Sequence, residues 1–316
     1  AYDLVMTALK NNKHVVTANK ALIAEHGMEI FTVAASKGLV VAYEAAVAGG
    51  IPIIKGLREG LSANQVNWVA GIINGTTNFI LTEMDTKGRD FNDVLVEAQE
   101  KGYAEADPTF DVEGIDAAHK LVILASIAFE MPLTLEGLYT DGITQLEPQD
   151  VAYAKELGYA IKHLGIARQT KQGVELRVHP TLVPQSSMIA GVNDVANAVM
   201  VNADALGTTL FCGPGAGAEP TASSVIADIV DVARTIDSPI EAKVNALGCP
   251  ISELEQRSIV AIEEIETSFY MRFSALDKPG VLSEITSIMG DTGISIEAIV
   301  QKEQPAGEDY VNVIIV

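Results

Sequence analysis

The sequence predicts a mixed α/β fold, and three patterns along the chain support this class. Helix and strand patterns alternate at short spacing through residues 1–45, as in parallel α/β units. Apolar strand patterns separated by helix patterns fill the middle of the chain. Residues 267–316 follow the order strand, turn, amphipathic helix, strand, loop, strand. With 316 residues, 48% of them hydrophobic, the chain has room for about two domains.

The first unit begins with a helix pattern and contains two strand patterns. The strand HVVTA precedes a helix from about Lys20 to Lys37, and the strand LVVAYEA follows that helix. The pattern starts without a first strand or a glycine-rich turn. We therefore interpret residues 1–45 as the later part of a Rossmann-type nucleotide-binding domain and expect the chain to be cut at both ends.

The middle of the chain alternates further helices and strands. A helix through KGLREGLSAN precedes the apolar strand VNWVAGII, and an amphipathic helix ends at Gly102. A second helix, from Ile115 to Phe129, is apolar all round, so we expect it to be buried. VELRVHPTLVP is predicted as a strand, and TTLFCGPGAGAEPTASS as a strand, a glycine-rich turn and the start of a long helix.

Composition excludes several classes of function. The net charge of -21 and a pI near 4.5 disfavour nucleic-acid binding and an anionic membrane surface as partners. No apolar run approaches the roughly 18–20 residues that span a bilayer. Cys212 and Cys249 give no disulfide framework and no metal-ligand spacing. We therefore expect a cytoplasmic protein that acts on a small molecule.

The stretch EADPTFDVEGIDAAHK, residues 105–120, carries the strongest chemical signal. Pro108 disfavours helical geometry in the residue before it, so the helix should begin near residue 114. Asp116 and Lys120 then lie four residues apart on one face. A lysine on a buried helix needs carboxylate partners, and such a lysine can donate a proton to a carbonyl oxygen. The alternative is a structural ion-pair network.

A calcium-binding loop is the competing interpretation of this acidic run. An EF-hand loop needs glycine at its sixth position, whereas counting from Asp107 places Val112 there and glycine at the eighth. The sequence therefore argues against a calcium site.

The same stretch resembles the signature of the homoserine dehydrogenase family. AQEKGYAEADPTFDVEGIDAAHK has the family's residues at the family's spacing, namely Ala98, Gly102, Tyr103, Asp107, Pro108, Asp111, Val112, Gly114, Asp116 and Lys120. VVTANKALIA, YEAAVAGGIPII, GIINGTTNFIL and GPGAGAEPTASSVIADIVDVAR also resemble family segments. The resemblance covers most of residues 1–235.

The resemblance implies an enzyme that reduces aspartate semialdehyde to homoserine with NAD or NADP, in threonine, methionine and isoleucine biosynthesis. Lys120 would protonate the aldehyde oxygen, and the reverse reaction would use neutral Lys120 as a base. Asp116 and Glu105 would hold the amino group of the substrate and set the charge of the lysine. Lys20 would face substrate and cofactor, and is also placed among the catalytic residues. The remaining substrate-binding candidates are Asp111, Tyr103 and Thr76.

Two further sites follow from the resemblance. The cofactor would contact Lys20, Gly102, Gly215, Gly217 and Ala218, although a lone lysine and a glycine-rich segment are more often a solvated residue and a tight turn. A sodium or potassium ion would bind at Glu44, Val47, Gly49 and Ile51, mainly through backbone carbonyls. The plain alternative for this second segment is a bend permitted by glycine.

Residues 267–316 resemble the first part of an ACT domain, a ferredoxin-like unit, with LDKPGVLSEIT at its first turn. Such domains bind an amino-acid effector between two copies, and Asp277 and Gly280 occupy the matching positions. The alternative is a simple dimerisation module. The resemblance also implies a homo-oligomer, either a dimer or a tetramer.

These interpretations divide the chain into four parts. The nucleotide-binding remainder comprises residues 1–45 and 208–236, an α/β catalytic and dimerisation domain covers 46–207, a linker covers 237–266, and a partial ACT domain covers 267–316. Two alternatives to the homoserine dehydrogenase hypothesis stay open at this point. One is a non-catalytic fragment that lacks the dinucleotide-binding turn, and the other is a different nicotinamide dehydrogenase of an amino-acid aldehyde that also uses a lysine.

Overall fold

The computed structural model describes residues 1–239, 242–302 and 309–316 of the chain. Within these residues the fold is mixed α/β, as predicted, with sheets of two, three and six strands. Residues 240 and 241 of the predicted linker lie outside the described residues. So do residues 303–308, which the sequence predicts as the loop between the last two strands.

The N-terminal unit is a small parallel sheet with helices beside it. Its elements are α1 (Tyr2–Lys10), β1 (Val15–Val16), α2 (Lys20–Ser36) and β2 (Val41–Ala42), and β1 pairs parallel with β2. The α2 helix begins where the sequence predicts because the Asn19 side chain accepts a hydrogen bond from the backbone N–H of Leu22 at 3.0 Å. This cap fixes Lys20 as the first residue of the helix.

A six-stranded sheet forms the middle of the molecule. Its strands are β3 (Val66–Ile72), β4 (Tyr139–Thr140), β5 (Tyr159–Gln169), β6 (Val174–Pro184), β7 (Ala196–Ala203) and β8 (Gly207–Pro214), in the order β4-β6-β5-β3-β7-β8. Neighbouring strands are antiparallel except for β4 and β6. Since β3 lies between β5 and β7, the chain leaves the centre of the sheet at Ile73.

The edge strand β8 differs from the predicted division of the chain. It pairs with β7 along its whole length, from Pro214 opposite Ala196 to Gly207 opposite Ala203. Residues 208–214 therefore lie in the central sheet, whereas the sequence assigned them to the nucleotide-binding unit. The sequence could not show this because the long-range partner of a strand is not encoded in its own pattern. The following helix, α9 (Ala218–Thr235), does pack against β1 and β2.

Helices cover one face of the central sheet. They are α3 (Ile53–Lys55), α4 (Gly75–Lys87), α5 (Phe91–Glu100), α6 (Thr109–Val112), α7 (Ile115–Phe129) and α8 (Pro148–Glu156). Of these, α4, α7 and α8 contact β5, and α7 also contacts β3, β6 and α2. Nearly all of α7 is buried, as its apolar pattern predicts. The sequence predicted neither α6 nor α8.

The start of α7 is fixed by a glycine. Gly114 precedes the helix with a φ of 82°, in the left-handed region that favours glycine. A Cβ atom at this position would lie 3.0 Å from Cγ2 of Thr140 and 3.1 Å from Cγ1 of Val178. The backbone thus approaches β4 and β6 closely, and this approach holds the first turn of α7 against the sheet.

The C-terminal residues form a separate small unit. Its elements are β9 (Met271–Leu276), α10 (Val281–Asp291), β10 (Ile299–Gln301) and β11 (Tyr310–Ile315), and its antiparallel sheet has the order β10-β11-β9. This is the predicted order of elements. A distinct core lies beneath α10, formed by Ala275, Met289, Val311, Val313 and Ile315.

No helix in the described ranges combines the length and the apolar character needed to cross a bilayer.

Candidate active site

The α7 helix places a sheltered lysine beside a carboxylate. Nζ of Lys120 donates hydrogen bonds to Oδ2 of Asp116 at 2.6 Å and to the backbone carbonyl of Ile73 at 2.7 Å. The side chains of Lys120 and Asp116 are only 12% and 5% exposed. The predicted i,i+4 pair is therefore turned inward, where it meets the chain that leaves the centre of the sheet.

A second lysine shares the same carboxylate. Nζ of Lys20 lies 2.9 Å from Oδ1 of Asp116, because α2 packs against α7. Burial alone would raise the pKa of Asp116, but the ammonium groups of Lys120 and Lys20 outweigh it and hold this pKa at about 2. Asp116 is thus a permanent anion between two cations at neutral pH.

The Lys120 ammonium group keeps one donor for a ligand. An ammonium group has three N–H bonds, and two of them point to Asp116 and Ile73. Across the part of the chain that the structure describes, no acceptor takes the third. A carbonyl oxygen of a bound molecule is a suitable acceptor for this N–H, so the geometry fits a proton donor.

The start of α4 supplies the polar neighbours of this lysine. The Asn74 side chain donates to Oδ1 of Asp111 at 2.7 Å and to Oδ2 of Asp116 at 2.9 Å. Thr76 Oγ1 donates to the Tyr103 carbonyl at 2.5 Å and lies 3.5 Å from Oδ2 of Asp111. The sequence-predicted residues Asp111 and Thr76 therefore lie beside Asp116.

The pKa of Asp111 is perturbed in the opposite direction from that of Asp116. Burial raises the pKa of Asp111, and the negative charge of Asp116 raises it further, while the Asn74 hydrogen bond and the two lysines oppose this increase. Because Asp111 is half-buried and near Asp116, its charge depends on the donors around it.

Residues 102–105 form the outer rim of the site. Tyr103 is 43% exposed, and its ring packs edge-on against Phe79 with 5.2 Å between centroids. Gly102 is exposed and has a φ of 73°. The Glu105 side chain is also exposed, and among the described residues it makes no hydrogen bond to Asp116 or Lys120. The structure thus links Tyr103 to the cluster through Thr76 and leaves Glu105 facing solvent.

The glycine-rich turn before α9 is exposed at its end. Gly217 has a φ of 112°, and both Gly217 and Ala218 are exposed at the start of the helix. The turn and the first residue of the helix are therefore accessible to a ligand. Gly215 is packed instead, since a Cβ there would come within 2.0 Å of the Asn197 side chain.

The expected cation site fits the structure only in part. Both carboxylate oxygens of Glu44 accept backbone N–H groups, from Ile54 at 2.8 Å and Lys55 at 3.0 Å. The carboxylate therefore caps the start of α3, and each of its oxygens retains one lone pair. The carbonyl of Gly49 accepts from Ser224 at 2.8 Å and that of Ile51 from Ile53 at 2.8 Å, which leaves each carbonyl one lone pair.

Metal-ligating side chains do not assemble elsewhere in the described structure. No three His, Cys, Asp or Glu side chains of residues 1–239, 242–302 and 309–316 come together as a metal site.

Two neighbours of the site were not predicted. Asn74 is buried and bridges Asp111 and Asp116, and its only sequence signal is a capping residue between an apolar strand and a helix. The Phe110 ring lies 5.8 Å from Nζ of Lys20 and stacks edge-on against His119. The sequence gives no indication that Phe110, an aromatic residue within an acidic run, contacts these two side chains.

The positions singled out in the C-terminal unit line a small cavity. Asp277 and Gly280 lie at the turn between β9 and α10, and the cavity of about 280 Å³ beside them is also lined by Gln301 and Val311. The strand–turn–helix arrangement matches the expected turn of an ACT domain.

A lysine held between a carboxylate and a backbone carbonyl, in an α/β fold with an ACT-type unit, fits the class of enzymes that transfer a proton to or from a small metabolite. The family model for homoserine dehydrogenase matches residues 52–230, and that for the ACT domain matches residues 269–316. The chain belongs to the homoserine dehydrogenase family, as its signature indicates.

Known relatives support this assignment over the whole chain. A homoserine dehydrogenase of Pseudomonas aeruginosa is 60% identical over 316 residues, which are 100% of this chain and 73% of that protein. The crystal structure of a homoserine dehydrogenase from Thiobacillus denitrificans is 56% identical, has a TM-score of 0.94, and covers 99% of this chain and 71% of that one. A hyperthermophilic archaeal homoserine dehydrogenase in complex with NADPH is 29% identical with a TM-score of 0.65, over 76% of this chain and 69% of that one.

Proposed function

We infer that the chain interconverts aspartate semialdehyde and homoserine with NAD or NADP, as a step in threonine, methionine and isoleucine biosynthesis. The observation that carries this inference is the Lys120 ammonium group, which is sheltered by Asp116 and Ile73 and retains one N–H. The family assignment supplies the reaction, and this lysine supplies the proton that the reaction needs.

In the reducing direction Lys120 acts as the general acid. A bound reduced nicotinamide cofactor supplies a hydride to the aldehyde carbon. The carbonyl oxygen gains negative charge as the C–H bond forms, and Lys120 transfers a proton to it and becomes a neutral amine. Homoserine oxidation reverses these steps and needs neutral Lys120 as a base, so its rate rises with pH.

Asp116 and Lys20 set the charge of the site during this step. Asp116 orients the Lys120 ammonium group through the 2.6 Å hydrogen bond. Lys20 contacts the same carboxylate and is 33% exposed, which supports the proposal that it would face both substrate and cofactor. We assign Lys120, Asp116 and Lys20 as the catalytic residues.

The substrate ammonium group would bind on the acidic side of the site. Asp111 and Glu105 are the proposed anionic partners, and Thr76 and Tyr103 line the pocket. Asp111 already lies beside Asp116, whereas Glu105 must turn inward from the rim to take part. Lys20, as a cation, would contact the substrate carboxylate.

The cofactor would contact Lys20, Gly102, Gly215, Gly217 and Ala218. Exposure of the backbone at Gly217 and Ala218 supports this set, and packing of Gly215 against Asn197 makes its part an indirect one. The archaeal relative in complex with NADPH favours NADP over NAD as the cofactor to test first.

A monovalent cation remains a proposal for the carbonyls of residues 44–51. The Glu44 carboxylate holds the start of α3, so the ion would be held mainly by the carbonyl groups of Glu44, Val47, Gly49 and Ile51. We route no step of the reaction through it.

The wider setting of the enzyme is also proposed. An amino-acid effector at Asp277 and Gly280 is supported by the cavity beside the ACT turn, and the family makes a homo-oligomer, a dimer or a tetramer, the expected state. Cys212 and Cys249 are free thiols, which suits the cytoplasm.

The test is a spectrophotometric assay of the purified chain with homoserine and NADP or NAD. We expect reduced cofactor from the wild type, and at least a hundredfold loss of kcat in Lys120→Ala, since general acid–base groups contribute about 10²–10⁴-fold. Lys87→Ala is the matched control, because Lys87 also pairs i,i+4 with a carboxylate, that of Glu83, but is 59% exposed. Full activity in Lys120→Ala would remove the proposed acid. A folded wild type without turnover would favour the fragment hypothesis, and turnover only with another aldehyde would favour the other dehydrogenase.

A further inference from the structure

The Asn74 side chain uses both donors of its amide on two different carboxylates. One N–H points to Oδ1 of Asp111 at 2.7 Å and the other to Oδ2 of Asp116 at 2.9 Å. The amide NH₂ group has two N–H bonds, and both are used as hydrogen-bond donors. Asn74 is 5% exposed, which excludes water as a ready substitute for either bond.

The oxygen atom of this side chain fixes where the amide points. Oδ1 of Asn74 accepts the backbone N–H of Thr77 at 2.9 Å and so caps the start of α4. The cap prevents the amide from turning around, because the oxygen is held by the helix. The two N–H bonds must then face α6 and α7, which carry Asp111 and Asp116.

This arrangement divides the oxygens of Asp116 between the two lysines. Oδ2 receives Asn74 together with Lys120, and Oδ1 is left for Lys20 at 2.9 Å. Two carboxylates that lie close together repel each other when both are charged. A neutral donor between them reduces this repulsion and adds no positive charge that would compete with the lysines for Asp116.

We propose that Asn74 is a positioning residue of the reaction, whose amide holds Asp111 and Asp116 in the orientation that substrate and Lys120 require. This proposal rests on the proposed function, since it assigns Asp111 to the substrate ammonium group and Asp116 to Lys120. Asn74 does not itself touch the reacting atoms.

The charge of Asp111 reports whether the amide is in place. The charged groups facing Asp111 are Asp116 and Lys120 on α7 and Lys20 on α2. Removing the Asn74 donor takes away one group that favours the ionised form of Asp111. Its pKa then rises further, and binding of a cationic substrate group weakens first at acidic pH.

The experiment compares two variants that keep the helix cap. Asn74→Ser retains an acceptor for the Thr77 N–H, and Asn74→Asp retains the side-chain size and the cap oxygen, but both lose the paired donor. We expect Asn74→Ser to unfold near the wild-type temperature and Asn74→Asp to unfold at a lower one, because its new carboxylate faces Asp111 and Asp116. Each should raise the KM for homoserine about tenfold or more, the effect of losing a hydrogen bond to a charged group. The acid limb of kcat/KM should move to higher pH, further in Asn74→Asp, which adds a third negative charge.

Controls separate positioning from capping. Asp90→Ala removes the cap of α5, whose side chain accepts the Asn92 N–H at 2.9 Å, and should lower stability without changing KM or the pH profile. Unchanged KM and pH profile in Asn74→Ser would overturn the proposal. So would failure of both Asn74 variants to fold, since Asn74 would then serve the fold and not the site.

A second readout does not depend on turnover. The carboxyl carbon of Asp111, followed by NMR titration, should show a higher pKa in Asn74→Ser than in the wild type. If the wild type lacks turnover but this shift is present, the proposed function fails while Asn74 still orders the two carboxylates. If the shift is absent, the positioning role is wrong whatever the activity.

Discussion

Asp116 carries the balance of charge at the scale of single residues. It is 3% exposed and contacts two ammonium groups, which lower its pKa to about 2 from an ordinary value of 3.8. A carboxylate with a lowered pKa stabilises the folded state at pH values above its ordinary pKa. That contribution is lost as the pH falls from about 4 toward the folded-state value of about 2.

We therefore predict a pH-dependent cost for Asp116→Asn. Near pH 7 the variant should lose about 2 kcal/mol of unfolding free energy, because each tenfold change in proton affinity corresponds to roughly 1.4 kcal/mol. The difference from the wild type should shrink as the pH approaches 2. Urea unfolding followed at several pH values measures it, with Asp3→Asn on α1 as an exposed control. A difference that stays constant with pH would contradict the assigned ion pairs.

Sequence reasoning identifies some of these residues better than others. The spacing of Asp116 and Lys120 on an apolar helix predicts an inward pair without any coordinates. The contact of Lys20 with Asp116 depends on how α2 packs against α7, so the residues alone do not predict it. Asn74 looks like any capping residue, and only the fold brings it between two carboxylates.

At the scale of elements, α8 joins the ACT unit to the catalytic part of the molecule. Asp150, near the start of α8, accepts hydrogen bonds from Tyr270 at 2.8 Å and from Nε of Arg272 at 2.7 Å. Its second oxygen accepts the backbone N–H of Glu147, which closes a capping box. The other side of α8 contacts α4, the helix that begins at the active site.

We predict that the buried part of this junction matters more than the exposed part. Arg272→Met leaves the 4% exposed Asp150 without its cation and should cost about 2 kcal/mol or more. Lys302→Met, which removes the exposed pair with Glu156, should leave stability nearly unchanged. Hydrogen exchange should become faster in α8 and β9 only in Arg272→Met. Equal effects of the two variants would rule out Asp150 as the main anchor.

The elements themselves were predicted unevenly. The helix after Pro108 and the order of elements in the ACT unit follow from local signals, and the structure confirms both. The sequence predicts one helix through KGLREGLSAN. The structure has α3 followed by a π-helical turn, Gly56–Gly60, which begins and ends with glycine. The pairing of β8 with β7 is a long-range choice that no local pattern carries.

At the scale of the whole molecule, the ACT unit has a core of its own. Met289 and its neighbours pack beneath α10, apart from the larger cores around the central sheet. Hydrogen bonds join this unit to α8, such as the Asn312 side chain donating to Gln149 at 2.9 Å. Because the two parts have separate cores, we expect them to unfold as separate cooperative steps.

We predict two unfolding transitions, which different probes resolve. Trp68, the single tryptophan, lies in β3 and reports on the central sheet, whereas far-ultraviolet circular dichroism reports on the whole chain. Met289→Ala should lower the unfolding free energy of the ACT unit and leave the Trp68 transition in place. Met84→Ala in the catalytic core should lower the unfolding free energy of the transition that Trp68 reports. We expect each decrease to be about 2–5 kcal/mol. Coincident curves that both variants shift equally would show a single cooperative unit.

The hydrogen bond from Lys120 to the Ile73 carbonyl ties the proton donor to the middle strand of the largest sheet. Tyr103 and Glu105, which form the rim, lie instead on a surface loop. A mutation in that loop can therefore reshape which aldehyde is admitted while the ammonium group stays where it was. Under the proposed function, different parts of the fold hold the groups that select the substrate and the group that delivers the proton, so one can change during evolution without the other.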